Sequence, residues 1–276
     1  MISEAKLTPA AGETESRLRF GLIAAQYDRV RPGYPEELID AVMEYGALAP
    51  PDRALDVGAG TGQATIQFAA RGLNVLALEP SAEMVQFAND KFARAGLDAV
   101  ATVGEFETAP LQEDAFALVY AATAWHWLDP DVCFEIAARA IAPGGTLAVL
   151  STWPLWRRSD LRPALDRVYE SSGAPPAAMG PMCPVEPDPG ALAAEWMRET
   201  NGTGALGDQM GKLAAWSVTY TAQGYVDLLG TYGDHIGLEP DVRGRLFDGV
   251  RDTVEAAGGT IEVGYSTLLL LARALQ

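Results

Sequence analysis

Apolar positions in the first half of the chain recur with two alternating periods. Leu38, Ile39, Val42 and Tyr45 fall at helical spacing within Pro35–Leu48, and Pro35 with two glutamates suits a first turn. The Pro50-Pro51 pair ends that helix. Short apolar runs of strand length follow at Arg53–Val57, Asn74–Leu78, Ala99–Val103, Ala117–Ala121 and Thr146–Ser151. Helical segments lie between them. Ala64–Arg71 stops at Gly72, and Ser81–Ala95 has Ser81 as N-cap with Met84, Val85, Ala88 and Phe92 on one face. A helix over about Asp131–Ile141 is stopped by Pro143-Gly144-Gly145. Strands alternating with helices imply an α/β fold with a mostly parallel sheet, because crossover helices are what join parallel neighbours.

The second half changes texture. Ser172–Gly211 is rich in Pro, Gly, Ala and Met, which breaks regular structure repeatedly and predicts an inserted cap over residues 155–212. Regular pattern returns as a strand near Leu213–Tyr220, helices near Tyr225–His235 and Pro240–Ala257, and a last strand over Ile261–Leu271. The expected organisation is an N-terminal arm at 1–34, a main domain formed by 35–154 and 213–276, and the substrate cap at 155–212. Leu18, Phe20, Ile23 and Tyr27, interspersed with charges over Ser16–Tyr27, suit an amphipathic helix acting as a lid or packing on a partner subunit, so a homo-oligomer through this arm is expected.

Charge narrows the partners. A formal charge of −17 repels phosphate backbones and anionic lipid, so neither nucleic acid nor membrane is expected and a small-molecule substrate is. The N-terminus has no apolar core of signal-peptide length, which predicts a cytoplasmic protein. Cys133, Cys183, His126 and His235 are the only cysteines and histidines and lack metal-ligand spacing, so no metal site is expected.

The densest chemical signal is Ala54-Leu-Asp-Val-Gly-Ala-Gly-Thr-Gly-Gln63, where the first strand meets its helix. Gly58, Gly60 and Gly62 let a ligand approach the backbone, and the following helix offers unpaired N–H groups. A dinucleotide fingerprint starting at Gly58 needs its third glycine at position 63, which is Gln63, and this counts against NAD. Glu79, at the end of the second strand, is placed to accept both hydroxyls of a ribose.

Asp56–Gly62 resembles, without a gap, the D-x-G-x-G-x-G loop of class I S-adenosylmethionine-dependent methyltransferases, which holds the amino-acid end of the cofactor. Val103–Leu111 resembles that family's G-D-A-E-x-L-P segment, with Glu105 at the Asp position and Phe106 beside it; the resemblance implies that they contact the adenine. Ala121–Asp129 and Arg139–Gly145 resemble the corresponding stretches of a trans-aconitate-methyltransferase-like branch, as does Tyr27-Asp-Arg-Val-Arg-Pro-Gly-Tyr-Pro35, a segment that closes over the cofactor there. The chain departs from the family at Ala117, where an Asp is usual. The resemblance implies a doubly wound, Rossmann-like, seven-stranded sheet with the last strand antiparallel, and S-adenosylmethionine as cofactor, leaving as S-adenosylhomocysteine. The cofactor-binding set so read is Tyr27, Arg31, Asp56, Gly58, Gly60, Thr61, Gly62, Glu79, Pro80, Met84, Glu105, Phe106 and Thr123.

Trp125, His126, Trp127, Trp153 and Tyr232 form the candidate substrate-binding set. The tryptophans, with Trp156, could line an aromatic pocket or attract the sulfonium, and simple core packing explains them equally. His126 has two readings, as a general base for a hydroxyl nucleophile or as a packing residue between its tryptophan neighbours. His235 reads as a helix C-terminal cap. Arg157, Arg158 and Arg162 suit either a substrate carboxylate or an exposed basic helix start. The reaction expected is metal-independent methyl transfer to O, C or N of a small molecule, such as a secondary metabolite or carboxylic acid. The alternatives are a same-fold enzyme that keeps the cofactor for a cyclisation or other non-methyl reaction, and a binding module without catalysis.

Overall fold

The computed structural model describes residues 24–155, 159–175 and 186–275. Seven strands form one sheet: β1 (Arg53–Val57), β2 (Asn74–Glu79), β3 (Ala99–Val103), β4 (Phe116–Ala122), β5 (Ile141–Pro154), β6 (Leu206–Thr221) and β7 (Thr260–Ala274). Their order is β3-β2-β1-β4-β5-β7-β6. The first five pair in parallel, and β7 runs antiparallel to both β5 and β6. The fold is therefore Rossmann-like, with the strand order reversing between β1 and β4.

Strand alternation sends side chains to two packed faces. On one, Leu55, Val57, Val119, Leu147, Val149, Leu268 and Leu270 pack with α5 (Cys133–Ala140) and α7 (Pro189–Thr203). On the other, Ala54, Val75, Leu118, Tyr120, Ala148, Leu150, Leu269 and Leu271 pack with α2 (Glu36–Gly46) and α3 (Gln63–Ala69). Helix α4 (Ala82–Ala95) covers Ala77 and Ala101 with Val85, Ala88 and Phe92. Its start follows the capping rule: Ser81 Oγ accepts the Met84 N–H at 3.3 Å, and Gly96 ends it at φ 64°.

At the far end of the sheet, Tyr220, Ile261, Val263 and Tyr265 pack with a second helical group. It comprises α1 (Ala24–Val30), α6 (Arg162–Ser172), α8 (Ala222–Leu229), α9 (Gly233–Ile236) and α10 (Pro240–Ala256). The single helix expected over Tyr225–His235 is in fact two. Thr221 caps the first, its Oγ1 accepting the Gly224 N–H at 3.0 Å, so that helix begins earlier. It ends at Gly230; the Thr231 hydroxyl turns back to the Leu228 carbonyl at 2.6 Å, and Tyr232 is extended at φ −85°, ψ 136°. This break re-aims Tyr232.

The inserted segment also differs from expectation. Asp188 caps α7, accepting the Gly190 N–H at 2.9 Å, and Pro189 opens the helix, so 189–203 is regular despite its composition. Strand β6 begins at Leu206 rather than Leu213, paired along β7. Helix α6 packs on α10, and α7 packs on the sheet beside α5 through Trp196. No described residue of 159–175 or 186–212 lines the cavity below. Trp156, Arg157, Arg158, Cys183 and the proposed amphipathic stretch before Ala24 lie outside the described residues. Pro143-Gly144-Gly145 falls inside the start of β5, where the register with β4 shifts, and α5 has already ended at Ala140.

Candidate cofactor and substrate site

A cavity of about 430 Å³ opens at the carboxyl ends of β1, β2, β4 and β5, where the strand order reverses. Crevices at such switch points hold ligands because the loops leaving neighbouring strands diverge there.

The loop after β1 forms one wall. Gly58, Gly60 and Gly62 stand at φ 70°, 57° and 77°. Their reasons for being glycine differ. A Cβ on Gly58 would meet the Ala124 Cβ at 2.6 Å, and one on Gly62 would meet the Phe92 ring at 2.4 Å, so both permit close packing of the loop itself. A Cβ on Gly60 would have only the Met84 sulfur, at 3.9 Å, so here the left-handed backbone is the constraint. That backbone aims the Gly60 N–H at Glu79 Oε2 (2.9 Å), while Glu79 Oε1 accepts the Ser81 N–H (3.0 Å). Glu79 is thus locked at the end of β2 on the cavity wall. Thr61 and Gly62 do not line the cavity: Thr61 is fully buried, and its carbonyl accepts from Lys91 Nζ.

Asp56 lies deeper on the same wall. Its Oδ2 accepts the Thr65 hydroxyl at 2.6 Å. Burial pushes the carboxyl up to about 7, the hydrogen bond from Thr65 opposes this, and Glu79's charge adds to it. A ligand ammonium beside Asp56 would reverse that shift by stabilising the carboxylate. At pH 6, S-adenosylhomocysteine binding is therefore expected to release about one proton, and at pH 8 almost none. Titration calorimetry in buffers of different ionisation enthalpy reads this directly, and a pH-independent proton count would exclude Asp56 as the amine partner. The sign for stability follows too. Without ligand a raised carboxyl costs stability as pH rises from the ordinary carboxylate range through 7, so Asp56→Asn is expected to gain relative to wild type at pH 8.

Pro80, Met84, Glu105 and Phe106 continue the wall beyond Glu79, with Glu107 and Leu128 beside them. Across the cavity stand Thr123, Ala124, His126 and Trp127 from the end of β4. Thr123 takes φ 57°, uncommon for a β-branched residue, and is held by its N–H to Leu150 O (2.7 Å) and by the Tyr34 hydroxyl donating to its Oγ1 (3.1 Å).

The aromatic residues divide by geometry. The 3-10 turn Trp125–Trp127 sends its two tryptophans in different directions. Trp127 and the exposed His126 face the cavity, whereas Trp125 packs edge-on against Phe134 (5.1 Å) and Trp196 (6.1 Å). Trp153 is likewise a core residue: alternation along β5 turns Thr152 and Pro154 to the cavity and Trp153 to the opposite face. Tyr232 lines the cavity with Gly233, Asp234 and Tyr265. His235 is no exposed helix cap; it is buried, bonded through Nε2 to the Tyr169 hydroxyl at 2.6 Å, and burial lowers it to about 4. Arg162 pairs with Asp166 on its own helix.

The cavity is bordered by α1 and the turn after it, through Tyr27, Arg31, Pro32, Gly33 and Tyr34. Lys91 Nζ pairs with Asp28 (2.5 Å), and Gln63 Nε2 donates to the Asp28 and Arg31 carbonyls at 3.0 and 3.1 Å. On the other side Gln26 and Arg29 bond to Asp227, and the Tyr220 hydroxyl donates to the Val30 carbonyl. Gln63, which speaks against a dinucleotide loop, here latches the arm. Lys91 and Asp227 carry no motif, and only the fold brings them to the arm.

The chain is similar to known proteins over part of its length. Residues 55–149 match a family described as a methyltransferase domain. An uncharacterized methyltransferase of Mycobacterium tuberculosis is 38% identical over 145 residues, covering 52% of this chain and 54% of that protein. Over these stretches the chain is similar to methyltransferases. Its fold resembles that of phosphoethanolamine N-methyltransferase 2 of Haemonchus contortus, solved with phosphomonomethylethanolamine and S-adenosylhomocysteine. That likeness has TM-score 0.57 and 14% identity over 98% of this chain and 61% of that one. A putative methyltransferase of Bacillus halodurans matches with TM-score 0.54 and 16% identity, covering 88% of this chain and all of that one. The chain spans about half the length of the curated relatives it matches. The cavity fits S-adenosylmethionine, the cofactor that the sequence resemblance implies: paired backbone-held carboxylate oxygens at Glu79 for ribose, a glycine-lined wall, and a buried carboxyl at Asp56 for an amine. Among the described residues no helix is long and apolar enough to cross a membrane, and no group of three His, Cys, Asp or Glu side chains is placed to hold a metal.

Proposed function

We propose that the protein transfers a methyl group from S-adenosylmethionine to O, C or N of a small molecule, in the cytoplasm and without a metal. The carrying observation is the size and lining of one cavity: about 430 Å³, bordered by α1 and lined by the glycine loop and Glu79 together with His126, Trp127 and Tyr232. A space of that order takes a nucleoside-sized cofactor and a compact acceptor, not a polymer segment.

The bound cofactor supplies an electrophilic methyl on a sulfonium, open to in-line attack. The protein's part is orientation and exclusion of water. Glu79 and Asp56 anchor the ribose and amine ends, with Glu105 and Phe106 at the adenine. Thr123, set by Tyr34 and Leu150, shapes the floor where β4 ends. His126 stands at the acceptor end, where its imidazole would accept the proton of a hydroxyl nucleophile; a carboxylate acceptor needs no such base.

The test is transfer of labelled methyl from S-adenosylmethionine to a panel of phenols, carboxylic acids and amines, scored by mass spectrometry of the products. Label on one chemical class supports the reading and names the methylated atom. Tight S-adenosylhomocysteine binding with no transfer to any class would favour a same-fold enzyme that uses the bound cofactor for another reaction.

A further inference from the structure

The antiparallel end of the sheet carries a chain of hydrogen bonds that ends at the cavity. On the face turned toward it, Thr152 of β5 stands opposite Thr267 of β7, and Ala214 and Trp216 of β6 stand opposite Thr267 and Tyr265. The two threonine hydroxyls are 2.8 Å apart, and Trp216 Nε1 donates to Thr267 Oγ1 at 2.9 Å. Trp216 is itself fixed by stacking on Tyr265, with ring centroids 4.8 Å apart and planes 24° from parallel. Thr152, Pro154 and Tyr265 line the cavity, whereas Thr267 is fully buried.

The direction of each bond follows from the protons available. An indole N–H can only donate, so Thr267 Oγ1 accepts from Trp216. The single Thr267 proton then needs an acceptor of its own, and among the described residues Thr152 Oγ1 is the one within hydrogen-bond distance. The reverse arrangement would leave a fully buried hydroxyl proton unpaired, a cost that rotation about one torsion avoids. Thr152 therefore accepts from Thr267, and its own proton is left over on the cavity wall. Sheet cohesion accounts for the contact between the two threonines, but the indole beyond them fixes its polarity, so that the end facing the cavity is a donor.

Strand position says what meets that donor. At the usual spacing of about 4.8 Å, β5 lies two strands, about 10 Å, from Asp56 on β1 and three strands, about 14 Å, from Glu79 on β2. The groups suited to the amine and ribose of S-adenosylmethionine are thus on the other side of the cavity, and the wall formed by β5 and β7 is left to the methyl acceptor. We propose that the Thr152 hydroxyl donates a hydrogen bond to an uncharged carbonyl oxygen of that acceptor, with Thr267 and Trp216 as positioning residues that turn its proton into the cavity. A neutral donor of preset direction meets one lone pair of a ketone, ester or amide and discriminates against an analogue that lacks the oxygen. This rests on the methyltransferase reading and adds to it a recognition group for the acceptor.

Ketones serve as probes, titrated into the full chain with and without S-adenosylhomocysteine. Acetone is small enough to enter wherever a carbonyl does; acetophenone is paired with α-methylstyrene, in which a methylene group replaces the carbonyl oxygen at nearly the same shape. The readouts are calorimetric affinity and the Trp216 Nε1–H resonance, which senses the far end of the hydrogen-bond chain. Saturable ketone binding that moves this resonance is expected, with α-methylstyrene weaker than acetophenone by about 3- to 10-fold, the worth of one neutral hydrogen bond. Thr152→Val keeps the shape without the hydroxyl and is expected to erase both the difference and the resonance shift, and Thr152→Ser to restore them. Retained S-adenosylhomocysteine affinity in both variants shows that they are folded, and the wild-type comparison of the two probes is independent of any variant. Equal affinities for the two probes, ketone binding that leaves Trp216 unmoved, or no ketone binding in either form would overturn the proposal. So would a Thr152→Val variant that loses affinity for S-adenosylhomocysteine but not for 5′-methylthioadenosine, because the hydroxyl would then serve the cofactor's amino-acid end. Failure of the wild type to bind S-adenosylhomocysteine is a different result: it sinks the methyltransferase reading, while the ketone titration without cofactor still decides the donor.

Discussion

Glu79→Ala is expected to weaken S-adenosylhomocysteine binding by about 100-fold or more, because a ribose diol bound to a carboxylate makes two charge-assisted hydrogen bonds of roughly 1.5–3 kcal/mol each. The carboxylate is already held on the cavity wall: Gly60 N–H and Ser81 N–H, at 2.9 and 3.0 Å, fix one oxygen each. Little ordering cost remains for the ligand to meet. Glu79→Gln is the sharper variant, since its amide can accept from only one of those N–H groups and must set a donor against the other. It is expected to lose about tenfold in affinity and to loosen the glycine loop. Calorimetric dissociation constants for adenosine and S-adenosylhomocysteine separate the two effects, because adenosine reports the ribose contact alone. A change of less than threefold for both ligands with Glu79→Ala would place the ribose elsewhere.

Gly62→Ala is expected to cost about 3 kcal/mol of stability while Gly60→Ala costs nearer 1 kcal/mol. Both positions have positive φ, which costs an alanine roughly 1–2 kcal/mol. The difference is the neighbour. At Gly62 the new methyl would sit 2.4 Å from the Phe92 ring, which is 1% exposed and packed under α4, so relief requires moving the core at a further cost of about 1–3 kcal/mol. At Gly60 the nearest atom is a methionine sulfur at 3.9 Å. Thermal unfolding should show Gly62→Ala lowered by roughly 6–12 °C in Tm, and a partial recovery in Gly62→Ala, Phe92→Leu would assign the loss to that contact. Gly60→Ala should instead show its larger effect on cofactor affinity, since its N–H holds Glu79. Equal Tm losses for the two variants would mean that backbone strain alone, not the Phe92 contact, requires glycine at position 62.

These two results concern residues visible in the linear sequence, and the reason is local. The D-x-G-x-G-x-G loop is contiguous, Glu79 ends the next strand, and Glu105–Phe106 follow shortly after the one after that, so strand periodicity suffices to bring them to one edge of a parallel sheet. What periodicity could not resolve was direction at turns. Trp125 and Trp127 are two residues apart, yet one entered the core and the other the cavity because a 3-10 turn separates them. Trp153 looked like a pocket residue until the pairing of β5 set its parity. The Pro- and Gly-rich insert reads as broken structure, yet 189–203 forms a helix that packs Trp196 beside α5, since one N-cap and a proline at the first helical position are enough to start a helix on an apolar sheet face.

By itself the sequence determined the order of the first five strands, the glycine loop after β1, the acidic residues at or after the ends of the next two strands and the sign of the overall charge, most of which depends on neighbours a few residues apart. Only the tertiary structure decided which aromatic residues see the cavity, that Lys91 and Asp227 fasten the arm over it, and that Arg31 stands among four tyrosines. Those outcomes depend on groups some two hundred residues apart, such as Arg31 and Thr231. Their meeting is set by sheet register and helix breaks, which only the packing of the whole core selects.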